Sequence, residues 1–157
     1  MIELKDLQQH ALFGGLSDAS MNLIEPLFES TSYLCGDMVV NEGEQGNRMF
    51  FICRGKVEVI KQGLTSAPAV LAQLSEGDSF GEMELIDVQT RSASVRALSD
   101  LNVLTLSNED MHTIFEKDKD TFILILMNIS RKISRRLRKM DALVASNLYG
   151  RASSLAS

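Results

Sequence analysis

Four residues carry the strongest chemical signal in this chain: Gly81, Glu82, Arg91 and Ser92. They lie in the stretch 77–98, which reads GDSFGEMELIDVQTRSASVRAL. Phe80-Gly81 can turn the chain so that residues 82–87 form one helical turn, whose free N–H groups and positive dipole end favour an anion. Arg91 returns nine positions after Glu82, and its planar fork matches phosphate oxygens. Ser92 adds a hydroxyl and an N–H. Glu82 has the wrong sign for a phosphate ligand, but a carboxylate there can accept hydrogen bonds from sugar hydroxyls. Together these residues describe a sugar-phosphate clamp. A Glu82–Arg91 ion pair in an ordinary loop explains either end alone, since most surface pairs are idle. The combination of Gly-Glu, one turn and Arg-Ser ahead of a strand (Ala93, Val95 and Ala97 on one face) is more specific.

The rest of the chain must hold this stretch. At 157 residues and 45% apolar, it is long enough for one domain with its own core. A short helix is expected over 5–13, ending at Gly14-Gly15. A second, capped by Ser17 or Asp18, runs to Phe28 and is ended or kinked by Pro26. From Thr31 to Ser107 the chain turns β-branched and aromatic, with glycines as punctuation. Strands are expected at 31–35, 38–41, 48–53, 56–61, 69–74, 92–98 and 102–107, with 62–68 as the most exposed hairpin tip. Many short antiparallel strands with close turns mean a sandwich or barrel. The fold class expected is therefore mainly β with flanking helices: an antiparallel, jelly-roll-like β-roll between N-terminal helices and a long C-terminal helix.

Asn108 can cap a short helix to Lys117, and Asp118 or Asp120 then starts the long one. Phe122, Leu126, Ile129, Ile133, Leu137, Met140, Val144 and Leu148 form one sustained apolar stripe. Its first part should be buried. Its later part is a narrow seam between basic faces, the pattern of a helix that pairs with a copy of itself. The expected division is 1–30 for the N-terminal helices, 31–107 for the β-roll, 108–148 for the later helices, and a frayed tail over 149–157.

Composition excludes several classes. The longest apolar run, 122–127, is far short of the ~20 residues a membrane span needs, and MIELKDLQQH holds no signal-peptide core, so a cytoplasmic chain is expected. Cys35 and Cys53 have no metal-ligand spacing and read as small buried strand residues. His10 and His112 lie far apart, so no metal site is expected. An enzyme on a cupin-like roll would need several strand histidines, and no Ser-His or Cys-His set is present either. The net charge of −5 argues against general nucleic-acid binding. Six of the 16 basic residues fall within 131–139, leaving 10 basic against 21 acidic elsewhere. That run reads as solvated faces of a paired helix, as a docking surface for an acidic partner, or as a contact for nucleic acid or anionic lipid.

The stretch FGEMELIDVQTRSASVRA resembles the phosphate-binding cassette of cyclic nucleotide-binding domains. LFGGLS at 12–17, YLCGDMVVNEGEQGNRMFFICRGKVEVI at 33–60 and GDSFGE at 77–82 look like the same family's glycine-spaced β-roll. The resemblance covers about residues 5–148. It implies cAMP or cGMP as ligand and a binding set of Gly81, Glu82, Met83, Glu84, Leu85, Arg91 and Ser92. In that set Gly81 and Glu82 hold the ribose 2′-hydroxyl, and Arg91 holds the exocyclic phosphate oxygens with Ser92 in support. It implies Val59, Leu71, Ala72 and Leu74 at the base. Arg136 and Leu137 on the lid helix join them in a gapless alignment, although a one-turn shift is equally readable. The family's bacterial regulators continue from the long helix into a helix-turn-helix. This sequence stops there, so a stand-alone sensor without direct DNA binding is expected, dimerising through its C-terminal helix and acting on an unknown output protein. Glu84 departs from the family, which usually has Ala, Gly or Ser there. A carboxylate ~7 Å from a phosphate costs on the order of 2 kcal/mol at an effective dielectric of ~20. That departure supports the alternative: a non-catalytic dimerisation or scaffold module that kept the fold and lost nucleotide binding.

Overall fold

Two strands with apolar residues on both faces set the layering. The computed structural model describes residues 7–63 and 67–155. Strand β3 (Arg48–Arg54) buries Met49 and Phe51 on one side and Phe50 and Ile52 on the other. Strand β8 (Leu101–Ser107) repeats this, with Leu104 and Leu106 one way and Leu101 and Val103 the other. Strands buried on both faces need cover on both, and the chain supplies a helical layer and a second sheet.

The remaining strands among the described residues are β1 (Glu29–Tyr33), β2 (Met38–Val40), β4 (Lys56–Lys61), β5 (Ala69–Ser75), β6 (Ser79–Phe80) and β7 (Ser94–Ala97). With β3 and β8 they form two four-stranded sheets, ordered β1-β8-β3-β6 and β2-β7-β4-β5, with antiparallel pairings. This is the expected β-roll. The inter-sheet core gathers Val40, Phe50, Ile52, Val57, Phe80, Val95, Ala97, Leu101 and Val103. The other core lies under the helices and includes Phe13, Met21, Ile24, Leu85, Ile114, Ile125 and Ile129.

Helix α1 (Asp18–Ile24) is capped by Ser17, whose Oγ accepts from the Ser20 N–H at 3.1 Å. It passes into a 3-10 turn over Glu25–Leu27 that holds Pro26. Helix α2 (Glu82–Asp87) carries the cassette. Helix α3 (Asn108–Lys117) is capped by Ser107 with Asp110 in a capping box, one residue before the expected Asn108. Helix α4 (Lys119–Leu155) spans 37 residues, ~55 Å at 1.5 Å per residue. Asp118 starts it: Oδ1 accepts from the Thr121 N–H at 3.2 Å and Oδ2 from the Thr121 hydroxyl at 2.6 Å. These bonds hold the Asp118 carboxyl below the usual range.

Four sequence expectations need correction. Residues 149–155 continue α4 instead of forming a tail, because Ala, Leu and Arg favour helix and one glycine costs only about 1 kcal/mol. Residues 156–157 lie outside the described set, as do 5–6 of the first expected helix and 64–66 of the hairpin tip. The rest of that first helix is partly a 3-10 turn over Ala11–Phe13. Cys35 is exposed in a turn, while Cys53 is half-buried in β3. The strand expected at 31–35 ends at Tyr33, because Asp37 accepts the Leu34 N–H and bends the chain at Gly36. β6 has no counterpart among the expected strands, because its two residues carry no period.

The first half of α4 is clamped. Asn128 is buried, and its Nδ2 donates to the carbonyls of Leu12 and Gly14, each at 3.0 Å. Beyond Ile133 the helix leaves the core. Leu137, Met140, Leu143, Val144 and Leu148 are all more than half exposed. Among the described residues no helix is long and apolar enough to cross a membrane, and no group of three His, Cys, Asp or Glu converges to hold a metal.

Candidate functional site

Gly81 opens the site. It precedes α2 at φ +82°, and a Cβ there would meet Arg91 Nη1 at 2.8 Å and the Arg48 carbonyl at 2.9 Å. Only glycine satisfies both the left-handed turn and the close approach. α2 then aims Glu82 and Glu84 inward with Leu85, while Met83 stays exposed. The loop returning from α2 turns at Val88, a left-handed residue whose carbonyl accepts from Gln45 Nε2 at 3.0 Å. The backbone of Arg91 is pinned to the turn after β2: its N–H donates to the Glu44 carbonyl at 2.7 Å, and its carbonyl accepts from Gly43 at 2.9 Å.

The Arg91 side chain is buried over the Phe50 ring, 5.5 Å from its centroid. Nη2 donates to the Arg48 carbonyl at 2.9 Å, and Nη1 reaches Glu84 Oε2 at 3.3 Å. Glu84 Oε1 accepts the Ser92 N–H at 3.2 Å. Burial lowers the Arg91 pKa from its ordinary value, opposed by the Glu84 charge; an arginine still stays protonated. The ion pair that the sequence suggests as the ordinary-loop alternative is Glu82–Arg91. The partner is Glu84, and the departure from the family's residue thus faces the centre of the site.

Glu82 is 1% exposed and is held from α4. Its Oε1 accepts from the Ser79 hydroxyl at 3.0 Å and from Lys132 Nζ. Lys132 also donates to the Ser79 carbonyl at 2.7 Å. Arg136 Nη1 lies 3.7 Å from Glu82 Oε2, too far for a hydrogen bond, and among the described residues Oε2 has no hydrogen-bond partner. A buried carboxylate oxygen without a donor is costly. In the sequence Lys132 is one member of the basic run and no more. The signal available was its i, i+4 spacing with Arg136, which places both on one face of the helix.

The structure brings Gly81, Glu82, Glu84, Arg91 and Ser92 together, with Arg136 at their edge. Val59 and Leu74 are half-buried against the inter-sheet core, and Val59 pairs with Ala72 across β4 and β5. Leu71 and Ala72 are exposed. Leu137 is 59% exposed and contributes to the apolar face of α4.

Comparison with known proteins accords with this geometry. The sequence pattern described as "Cyclic nucleotide-binding domain" matches residues 30–118, more than half of the chain. The chain is 32% identical over 130 residues to the cyclic AMP receptor protein of Thermus thermophilus, covering 83% of this chain and 58% of that protein. It is 37% identical over 103 residues to the cAMP-dependent protein kinase regulatory subunit of Debaryomyces hansenii, covering 66% of this chain and 21% of that one. It thus spans less than two thirds of either relative. A cyclic nucleotide-binding domain from Methylobacillus flagellatus superposes with a TM-score of 0.84 at 20% identity, over 91% of this chain and 83% of that one, which speaks to the fold. With the roll, the cassette between β6 and β7 and the matched sequence pattern in agreement, the chain belongs to the cyclic nucleotide-binding domain family.

Proposed function

We propose that this domain is a non-catalytic regulatory module that senses a cyclic nucleotide, cAMP or cGMP, and passes the event through α4 to a partner protein. The observation that carries this reading is the clasp on Glu82: Lys132 and Arg136 of α4 both address it, and one oxygen still lacks a hydrogen-bond donor among the described residues. In this reading Gly81 and Glu82 take the ribose 2′-hydroxyl, and Arg91 with Ser92 takes the phosphate. Val59, Leu71, Ala72 and Leu74 face the base, joined by Arg136 and Leu137 when α4 closes. A ribose hydroxyl on Glu82 substitutes for donors that α4 supplies, so ligand and helix compete for one carboxylate. Such competition gives the ligand different affinities for two positions of the helix, without which no switch operates.

Isothermal titration with both nucleotides tests this. Binding is expected for the wild-type chain, several-fold tighter in Lys132→Ala and lost in Arg91→Ala. No heat from any of these proteins at high concentration refutes sensing. Binding that ignores Lys132→Ala refutes transmission through α4.

A second reading, a dimerisation or scaffold module without nucleotide binding, draws on the Glu84 carboxylate, which engages Arg91 and the Ser92 N–H. Unchanged NMR spectra on adding either nucleotide would favour it. In both readings the exposed face of α4 pairs with a second copy.

A further inference from the structure

Glu84 is the one buried carboxylate of the cassette that the sensor reading leaves without a task. Its two oxygens take the Arg91 guanidinium and the Ser92 N–H, the two donors that reading assigns to the ligand's phosphate. It is 5% exposed. It is also held in place from outside the cassette. A Cβ on Gly46 would sit 2.7 Å from both Cβ and Cγ of Glu84 and 3.0 Å from Arg91 Nε. The bare backbone of the β2–β3 turn therefore closes on the Glu84 stem and keeps its head turned inward. A carboxylate and a phosphate cannot share these donors, because both carry negative charge and both need the same space.

Taking the cassette as the phosphate-facing part of a ligand pocket, as proposed above, we infer that Glu84 is a built-in competitor of the ligand's phosphate. It is a tethered anion that occupies the subsite and weakens charged ligands selectively. A cyclic nucleotide must displace it from Arg91 and Ser92. A ribonucleoside without phosphate need not, since it asks only for Glu82 and the base-facing surface. Glu84 thus sets both the threshold for the nucleotide and the discrimination between charged and uncharged ribose ligands.

The test is titration of cAMP and of adenosine into the wild-type chain, Glu84→Ala and Glu84→Gln, with folding checked by circular dichroism. Gln keeps the volume and the acceptor oxygen while removing the charge, and it stands in if the Ala variant is unstable. The expected result is a gain of about tenfold or more in cAMP affinity in both variants, little change for adenosine, and loss of the cAMP gain when Arg91→Ala is added. Equal cAMP affinity in all three proteins overturns the competitor role and leaves the sensor reading intact. Equal gains for cAMP and adenosine overturn it too, since Glu84 would then only fill space. A cAMP gain in variants whose affinity ignores Lys132→Ala upholds the competitor and refutes transmission through α4. No cAMP binding by any folded variant refutes both.

Discussion

Replacing Arg91 by Ala should cost far more stability than a loop substitution, and a double-mutant cycle with Glu84 should show why. The side chains of Arg91 and Glu84 are 6% and 7% exposed, and Nη1 lies 3.3 Å from Oε2. At that distance and an effective dielectric of ~20, the gross attraction is about 5 kcal/mol. Desolvation of the two ions offsets most of it, so the intact pair adds little net stability. Removing Arg91 leaves Glu84 buried without its counter-ion, which costs roughly 3–5 kcal/mol. The two losses should differ. Without Arg91, Glu84 keeps only the Ser92 N–H. Without Glu84, Arg91 keeps the Arg48 carbonyl and the Phe50 ring, so Glu84→Ala should cost less, about 2–3 kcal/mol. The double variant should be more stable than the sum of the singles implies, by about 1–3 kcal/mol. Urea denaturation of the four proteins reads these values from the midpoints, provided the slopes stay equal. Single losses that add within about 0.5 kcal/mol would refute the coupling.

Two further outcomes are expected. Burial, then the nearby Lys132 charge, holds His10 at about 4, against opposing pulls from Glu82 and Asp78. Its Nδ1 accepts the Leu12 N–H, so the neutral ring is the folded form. Its contribution is complete above the unfolded value of 6.5 and is lost as pH falls toward 4. It amounts to about 2 kcal/mol after allowance for its partial exposure. Thermal melts from pH 7 to 4.5 should therefore fall less steeply for His10→Phe, and parallel curves would contradict this. In sedimentation the chain should self-associate along α4, more strongly at high salt, where the basic run of each copy is screened. Leu137→Glu with Val144→Glu should yield monomers, and a wild-type monomer at both salt levels would remove the pairing.

The cassette was legible in sequence because its members lie within a dozen consecutive residues and local backbone rules govern them. The direction of Glu84 was not, because it depends on Gly46, 38 residues earlier in the chain. Lys132 was hidden for a similar reason: a cation amid five others looks solvated until the roll brings Ser79 and Glu82 beneath it. The strand at β3 was legible, but not its burial on both faces, which follows from the helical layer and the second sheet that cover it. The two-residue β6 left no such trace, and Cys35 followed the turn at Gly36 rather than its own preference for burial. The clamp of Asn128 on the first loop joins residues more than a hundred positions apart, beyond any periodicity.

That clamp has a mechanical consequence. With Asn128 fixed to Leu12 and Gly14, α4 behaves as a beam anchored at one end, and the clasp at Lys132 sits one turn past the anchor. From Ile133 to Leu155 the free arm measures ~33 Å. A tilt of about 10° near the anchor sweeps its far end through ~6 Å, more than a full helical turn. In the sensor reading proposed above, a contact made or broken at Glu82 is thereby magnified into a displacement at the far end of α4.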